Sequence, residues 1–190
     1  LMKSIPLLDI KVLKFFNTLM IDKTFFSYFT EIGNGLICLA ITVPLLSLIS
    51  YRTPLNNVKV QTLVFVGLGV GLIVKVLKEL TSLYAVRPGF YEFEDVIYLE
   101  PVYLYSSFPS GHAATIFSLF LVWISLAFRN TKISNAGLTI TLLLVFASMV
   151  SLSRVIVAAH WLSDVLGSIA LALVALNAIH FKVFKNILFE

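Results

Sequence analysis

The chain has 190 residues, of which 59% are hydrophobic and 13% charged, against a charged share of roughly 25% in a soluble domain. A soluble monomer could not hide that much apolar surface, a single cysteine excludes a disulfide scaffold, and the low polarity excludes a disordered or collagen-like chain. The formal net charge of +4 does not point to nucleic acid, because the basic residues are scattered between apolar runs and the aromatics sit in those runs, which leaves an integral membrane protein.

Taken in chain order, the first twenty residues carry Lys3, Asp9, Lys11 and Lys14 and lack the pattern of a secretory signal, so the helices themselves are expected to direct insertion. Pro6 to Phe29 is interrupted by Asp9, Lys11, Lys14, Asp22 and Lys23. It reads as an amphipathic helix lying in the interface, with a sixth span as the alternative. Four stretches then reach the roughly 20 apolar residues that a hydrocarbon core of about 30 Å requires: Gly35 to Ile49, extended at its start by Thr30 to Asn34; Val60 to Leu80; Ala113 to Phe128; and Gly137 to Ile179. The last would be about twice a bilayer thickness as one helix. It must turn back, and Ser153, Arg154, His160 and Asp164 are its only strongly polar interruption. The expectation is a single all-α membrane-embedded domain over 1–190, with five strong transmembrane helices plus the N-terminal amphipathic or sixth transmembrane helix. No internal repeat supports a pseudo-symmetric transporter.

Orientation follows from Lys and Arg in the short loops. Arg52, Lys59, Arg129, Lys132, Lys182 and Lys185 mark one set of helix ends, whereas the long loop from Thr81 to Pro109 has Arg87 alone beside Glu92, Glu94, Asp95 and Glu100. The basic set is expected to face the cytoplasm, putting the long loop and the Arg154 to Asp164 turn on the outer or periplasmic side.

Polar side chains at membrane depth cost at least a few kcal/mol each, so clusters of them need a reason. Three clusters fall on the outer ends of different spans: Lys78 with Arg87 and Pro88; Pro109-Ser110-Gly111-His112; and Ser153-Arg154 with His160 and Asp164. Pro109 and Ser110 read as a helix start, where Ser caps free amides and the helix dipole attracts anions. Gly111 lets a ligand oxygen approach the backbone. Two guanidinium groups and an ammonium converging there suit a tetrahedral oxyanion such as phosphate. Asp164, four residues after His160, can accept from the imidazole Nδ1 and leave Nε2 free as a nucleophile. His112 could then protonate the leaving oxygen. The design needs neither metal nor other cofactor.

Pro109-Ser110-Gly111-His112 followed by Ser153-Arg154-x5-His160-x3-Asp164 resembles the second and third signature motifs of the type 2 phosphatidic acid phosphatase superfamily, and Arg87-Pro88 resembles the end of the first. The family's first-motif lysine stands seven residues before the arginine, where this chain has Leu80. Lys78 is taken as its counterpart, with Lys75 a turn further back as the alternative. The resemblance implies a phosphohistidine mechanism. His160 would attack phosphorus, His112 would act as general acid and then help activate water, Asp164 would orient His160, and Lys78, Arg87, Ser110, Gly111 and Arg154 would hold the phosphoryl oxygens.

The resulting expectation is a metal-independent phosphatase of a membrane lipid phosphate or pyrophosphate in the cytoplasmic membrane, its partners being the bilayer and that lipid. The resemblance implies undecaprenyl pyrophosphate, phosphatidylglycerol phosphate or the phosphates of lipid A as substrates. A lipid phosphotransferase using the same phosphohistidine and a non-enzymatic lipid transporter are the alternatives. His180 reads as structural. Gly67, Gly69 and Gly71 read as helix packing, the loop acids as solvated, and the loop aromatics as an interfacial belt.

Overall fold

Apolar runs of this length become helices because only a helix satisfies every backbone donor and acceptor within one segment in hydrocarbon. The computed structural model describes residues 5–19, 22–52, 60–99, 101–127 and 136–180. In chain order the helices are α1 (Leu7–Thr18), α2 (Lys23–Glu31), α3 (Gly35–Arg52), α4 (Val60–Thr81), α5 (Gly111–Ala127), α6 (Ala136–Ile156) and α7 (Leu162–His180), with a 3₁₀ turn at Pro88–Tyr91. No strand occurs among the described residues. The protein is an all-α membrane bundle. Each of the five expected spans is a helix, α3 through α7.

Three helices are long and apolar enough to cross a membrane on their own: Val60–Thr81, Gly137–Ile156 and Leu162–His180. A fourth crossing is counted if α2 and α3, bent by 68° at the break between them, form one broken span. The apolar α5, at 17 residues, is about 26 Å long. The N-terminal segment is two helices rather than one. The 12 residues of α1 reach only about 18 Å, too short to cross, and Asp22 starts α2 by accepting from the Thr24 and Phe25 amides, which is how an N-cap breaks a continuous helix.

α5 is the axis, packed against α3, α4, α6 and α7, which is why it is apolar all round rather than along one stripe. Its Trp123 is fully buried and donates Nε1–H to the Leu46 carbonyl at 3.2 Å and to Ser50 Oγ at 2.9 Å. Thr42, Ser47 and Ser50 return their hydroxyls to carbonyls one turn back on α3, so these polar groups need nothing from lipid. Of the three α4 glycines, only Gly67 is a packing position. A side chain there would collide with Leu39, whereas Gly69 and Gly71 have nothing within 4 Å.

Gly35 of α3 lies beside Thr115 of α5, and Gly33 beside His112. The starts of α3, α5 and α7 therefore share one end of the bundle with the ends of α4 and α6. At the opposite end Ser125 and His180 lie 2.8 Å apart, a structural pairing for His180. Lys59, Arg129, Lys132, Lys182 and Lys185, on which the orientation rests, lie outside the described residues, as do Glu100 and the Arg52 side chain.

Candidate active site

α6 ends without glycine or proline. Ala158 takes the left-handed conformation at φ 57°, which lets the Ala159 amide bond the Arg154 carbonyl at 2.9 Å and the Ala158 amide bond that of Val155 at 3.0 Å. This pair of bonds is a Schellman motif with alanine where glycine is usual. The His160 amide also donates to the Arg154 carbonyl, at 3.1 Å, so the motif fixes how far past Arg154 the imidazole projects.

α7 begins next, and Asp164 occupies its third position. Its Oδ2 reaches back to the Trp161 amide at 2.9 Å, the acidic half of a capping box. The same oxygen lies 3.3 Å from His160 Nδ1 and accepts from Ser107 Oγ at 2.5 Å. Three partners on one buried oxygen hold the carboxylate in place, and the carboxylate holds the ring. His160 is 2% exposed. Burial above all, and then the cations Arg87, Arg154 and Lys78, push it well below the ordinary histidine value, so the imidazole is neutral.

The loop between α4 and α5 delivers the next side chains. Arg87 donates Nε–H to the Tyr105 carbonyl at 2.9 Å, Nη1–H to Ala159 at 3.2 Å and Nη2–H to Ser106 at 3.3 Å. Its guanidinium therefore ties the loop to the His160 turn, with the Tyr103 ring centroid 5.2 Å away. Burial draws Arg87 below the usual arginine value, opposed by Asp164. Lys78, half-buried, donates to the same Ser106 carbonyl at 3.1 Å. Lys75 is exposed.

Ser110 stands just before α5 but does not cap it. Its Oγ is buried with no partner among the described residues, while its amide donates to the Asp164 carbonyl and its carbonyl accepts from Ser168 Oγ. Gly111 follows at the first helical position. A Cβ there would meet only Val74 Cγ1, at an ordinary 3.6 Å, so packing does not demand the glycine. His112 Nε2 and Arg154 Nε are likewise buried without partners. Buried polar atoms are nearly always paired, so three orphans among three cations and one carboxylate mark a place built for an anion with several acceptor oxygens. Among the described residues no three His, Cys, Asp or Glu side chains gather as metal ligands.

Every residue of the three sequence clusters thus lies at one end of the bundle, while Lys75 does not face the site. Several site residues carry no such signal in the sequence. Thr30 of α2 accepts from Arg154 Nη1 at 2.8 Å. Gly33 is required because a Cβ would meet His112 Cβ at 2.8 Å. Ser107 grips Asp164. On the Arg154 side opens a cavity of about 130 Å³ lined by Thr30, Glu31, Tyr98 and Tyr103, and on the Asp164 side a largely apolar groove of about 450 Å³ lined by Pro6, Thr81, Phe108 and Trp161.

The model of the PAP2 superfamily matches residues 59–188. No curated protein matches the sequence. Among solved structures, the fold is similar to that of Aquifex aeolicus LpxE, with a TM-score of 0.64 and 22% identity over 93% of this chain and 99% of that one. It is equally similar to the first transmembrane PAP2-type phosphatidylglycerolphosphate phosphatase structure, from Bacillus subtilis, at a TM-score of 0.64 and 22% identity over 97% of this chain and 90% of that one.

Proposed function

This chain belongs to the PAP2 superfamily, and on that premise we propose that it is a lipid phosphatase, one membrane-embedded domain that hydrolyses a membrane lipid phosphate or pyrophosphate through a phosphohistidine. The observation that carries this reading is that three of the six unpartnered buried side-chain atoms among the described residues, Ser110 Oγ, His112 Nε2 and Arg154 Nε, belong to the clusters beside the carboxylate-oriented His160 at the ends of membrane helices. A phosphoryl group held there by Lys78, Arg87, Arg154, Ser110 and the Gly111 amide would satisfy them. Nε2 of His160 attacks phosphorus as the bond to the lipid oxygen breaks, and that oxygen takes a proton from His112. Water then attacks the phosphohistidine and gives a proton to His112, the P–N bond breaks, and inorganic phosphate leaves.

Preorganised cations take over the charge neutralisation a metal would otherwise provide. Phosphate release is therefore expected from at least one member of a panel of phosphatidylglycerol phosphate, undecaprenyl pyrophosphate and lipid A phosphate, and it should survive excess EDTA. No release from the whole panel overturns the phosphatase reading. Loss in EDTA, restored by Mg²⁺ or Zn²⁺, overturns metal independence.

The site is assigned to the outer face of the cytoplasmic membrane, on the Lys and Arg asymmetry of the loops. A cysteine replacing Glu94 should react with a membrane-impermeant maleimide in intact cells and one replacing Asn130 should not. The reverse pattern would put the site in the cytoplasm.

A further inference from the structure

An interfacial helix ordinarily turns its polar side chains to water and its apolar face to lipid or protein. α1 does otherwise. Its buried stripe is Asp9, Leu13 and Asn17, spaced i, i+4, i+8 along one face, while Leu7, Leu8 and Phe15 are each more than 60% exposed. Asp9 and Asn17 are 3% and 1% exposed. Among the described residues neither meets a charged partner, and each is spent on hydrogen bonds across the fold.

Asn17 donates Nδ2–H to the Ile156 carbonyl at 2.7 Å and to the Ile97 carbonyl at 2.9 Å, and its Oδ1 accepts from the Ile97 amide at 2.7 Å. Ile156 is the last residue of α6. Two turns earlier on α1, Asp9 accepts from the Ser163 amide at 2.9 Å and from Ser163 Oγ at 2.7 Å. Ser163 is the second residue of α7, whose cap residue Trp161 has no side-chain acceptor, so Asp9 supplies from another helix the capping oxygen the local sequence lacks. The two contacts bracket residues 157–161, which carry His160. Between them Leu13, fully buried, belongs to the same apolar cluster as Val155, Ala158 and Trp161.

We infer that α1 is a brace for the nucleophile's turn and that Asp9 and Asn17 are positioning residues, acting on His160 and Asp164 through the backbone at both ends of that turn. The inference rests on the phosphatase reading for its kinetic consequence but not for its geometry. α1 also lies outside residues 59–188, the part matched by the family model. Of the oxyanion-holding groups only Arg87 donates into the braced turn, to Ala159, and its bonds to Tyr105 and Ser106 anchor it in its own loop. Lys78, Arg87 and Ser110 belong to other segments, and the Arg154 side chain is held by Thr30. Loosening α1 should therefore cost attack on phosphorus rather than binding of phosphate.

The test uses the full chain in detergent with Asp9→Ala, Asp9→Asn and Asn17→Ala, read by steady-state kinetics on a lipid phosphate and by amide hydrogen exchange. Both alanine variants should lose about 10- to 100-fold in kcat, the scale of a small misplacement of a reacting group, with KM unchanged. Exchange should accelerate in 156–164 and stay as in the parent elsewhere in α4 to α7. Asp9→Asn keeps an oxygen for the Ser163 amide and should retain most of the kcat. Unchanged exchange in 156–164, a rise in KM at constant kcat, or a uniform rise in exchange through the bundle would each overturn the brace. Should the parent release phosphate from no lipid, the phosphatase reading fails, and the exchange data alone still decide whether α1 holds the turn.

Discussion

His160→Ala is expected to abolish turnover of every phosphate ester and to leave no phosphoenzyme. The nitrogen proposed to attack phosphorus would be gone, and its neighbours Asp164 and Arg87 offer no replacement. Asp164 Oδ2 is committed to Ser107 and Trp161, and Arg87 is a cation with no lone pair to donate. The fold should tolerate the change, because the bond from the His160 amide to Arg154 and the capping bond of Asp164 involve no imidazole atom. Labelled substrate, rapid mixing and an alkaline quench that preserves phosphohistidine make the measurement. Residual turnover above the uncatalysed rate, or a phosphoenzyme trapped in the variant, would move the nucleophile elsewhere. The parent protein adds a pH test. Since burial and the neighbouring cations push His160 well below the usual histidine value, lowering the pH through about 6.5, where free histidine titrates, should not remove the nucleophile. An acid limb of the phosphorylation rate arising from His160 belongs at a distinctly lower pH.

The polar residues that gather at the candidate site were legible in the sequence because so few polar residues occur in membrane-spanning runs. Arg154, His160 and Asp164 stand out in a 43-residue apolar run, where each polar side chain needs a reason. The five long helices were legible because hydropathy and helix length are tied to bilayer thickness. The turn between α6 and α7 could be bounded but not explained. Its reversal is made by Ala158 at positive φ, and alanine carries no turn signal. The capping bond expected of Ser110 is not made, although its position before α5 fits a cap. The supporting residues were hidden for a different reason. Asp9 and Asn17 look like the water-facing side of an interfacial helix, and Thr30, Gly33 and Ser107 are ordinary residue types. Their roles arise from contacts to residues 57 to 154 positions away, as in the Ser107 bond to Asp164 and the Asp9 bonds to Ser163, and periodicity is blind to such pairings.

His112→Ala should lose about 10²- to 10⁴-fold on a lipid phosphate, the usual range for a general acid or base, and distinctly less on an aryl phosphate. The difference follows from the leaving group. An alkoxide departing from a lipid monoester needs a proton as the P–O bond breaks, whereas an acidic phenol departs as its anion with far less help. The location of His112 suits that task. It opens α5 with Nε2 buried and unpartnered among the described residues, and the Gly33 backbone lies against its Cβ, so no described side chain competes for that nitrogen. Because the same imidazole is assigned to water activation in the second half-reaction, steady-state rates would mix both losses. The decisive quantity is single-turnover release of the leaving group, which reports the phosphorylation step alone. A larger loss for the lipid than for the aryl ester identifies the general acid. Equal losses for the two would show that His112 serves the phosphoryl oxygens, the role proposed for the arginines, and that the leaving oxygen takes its proton from another group.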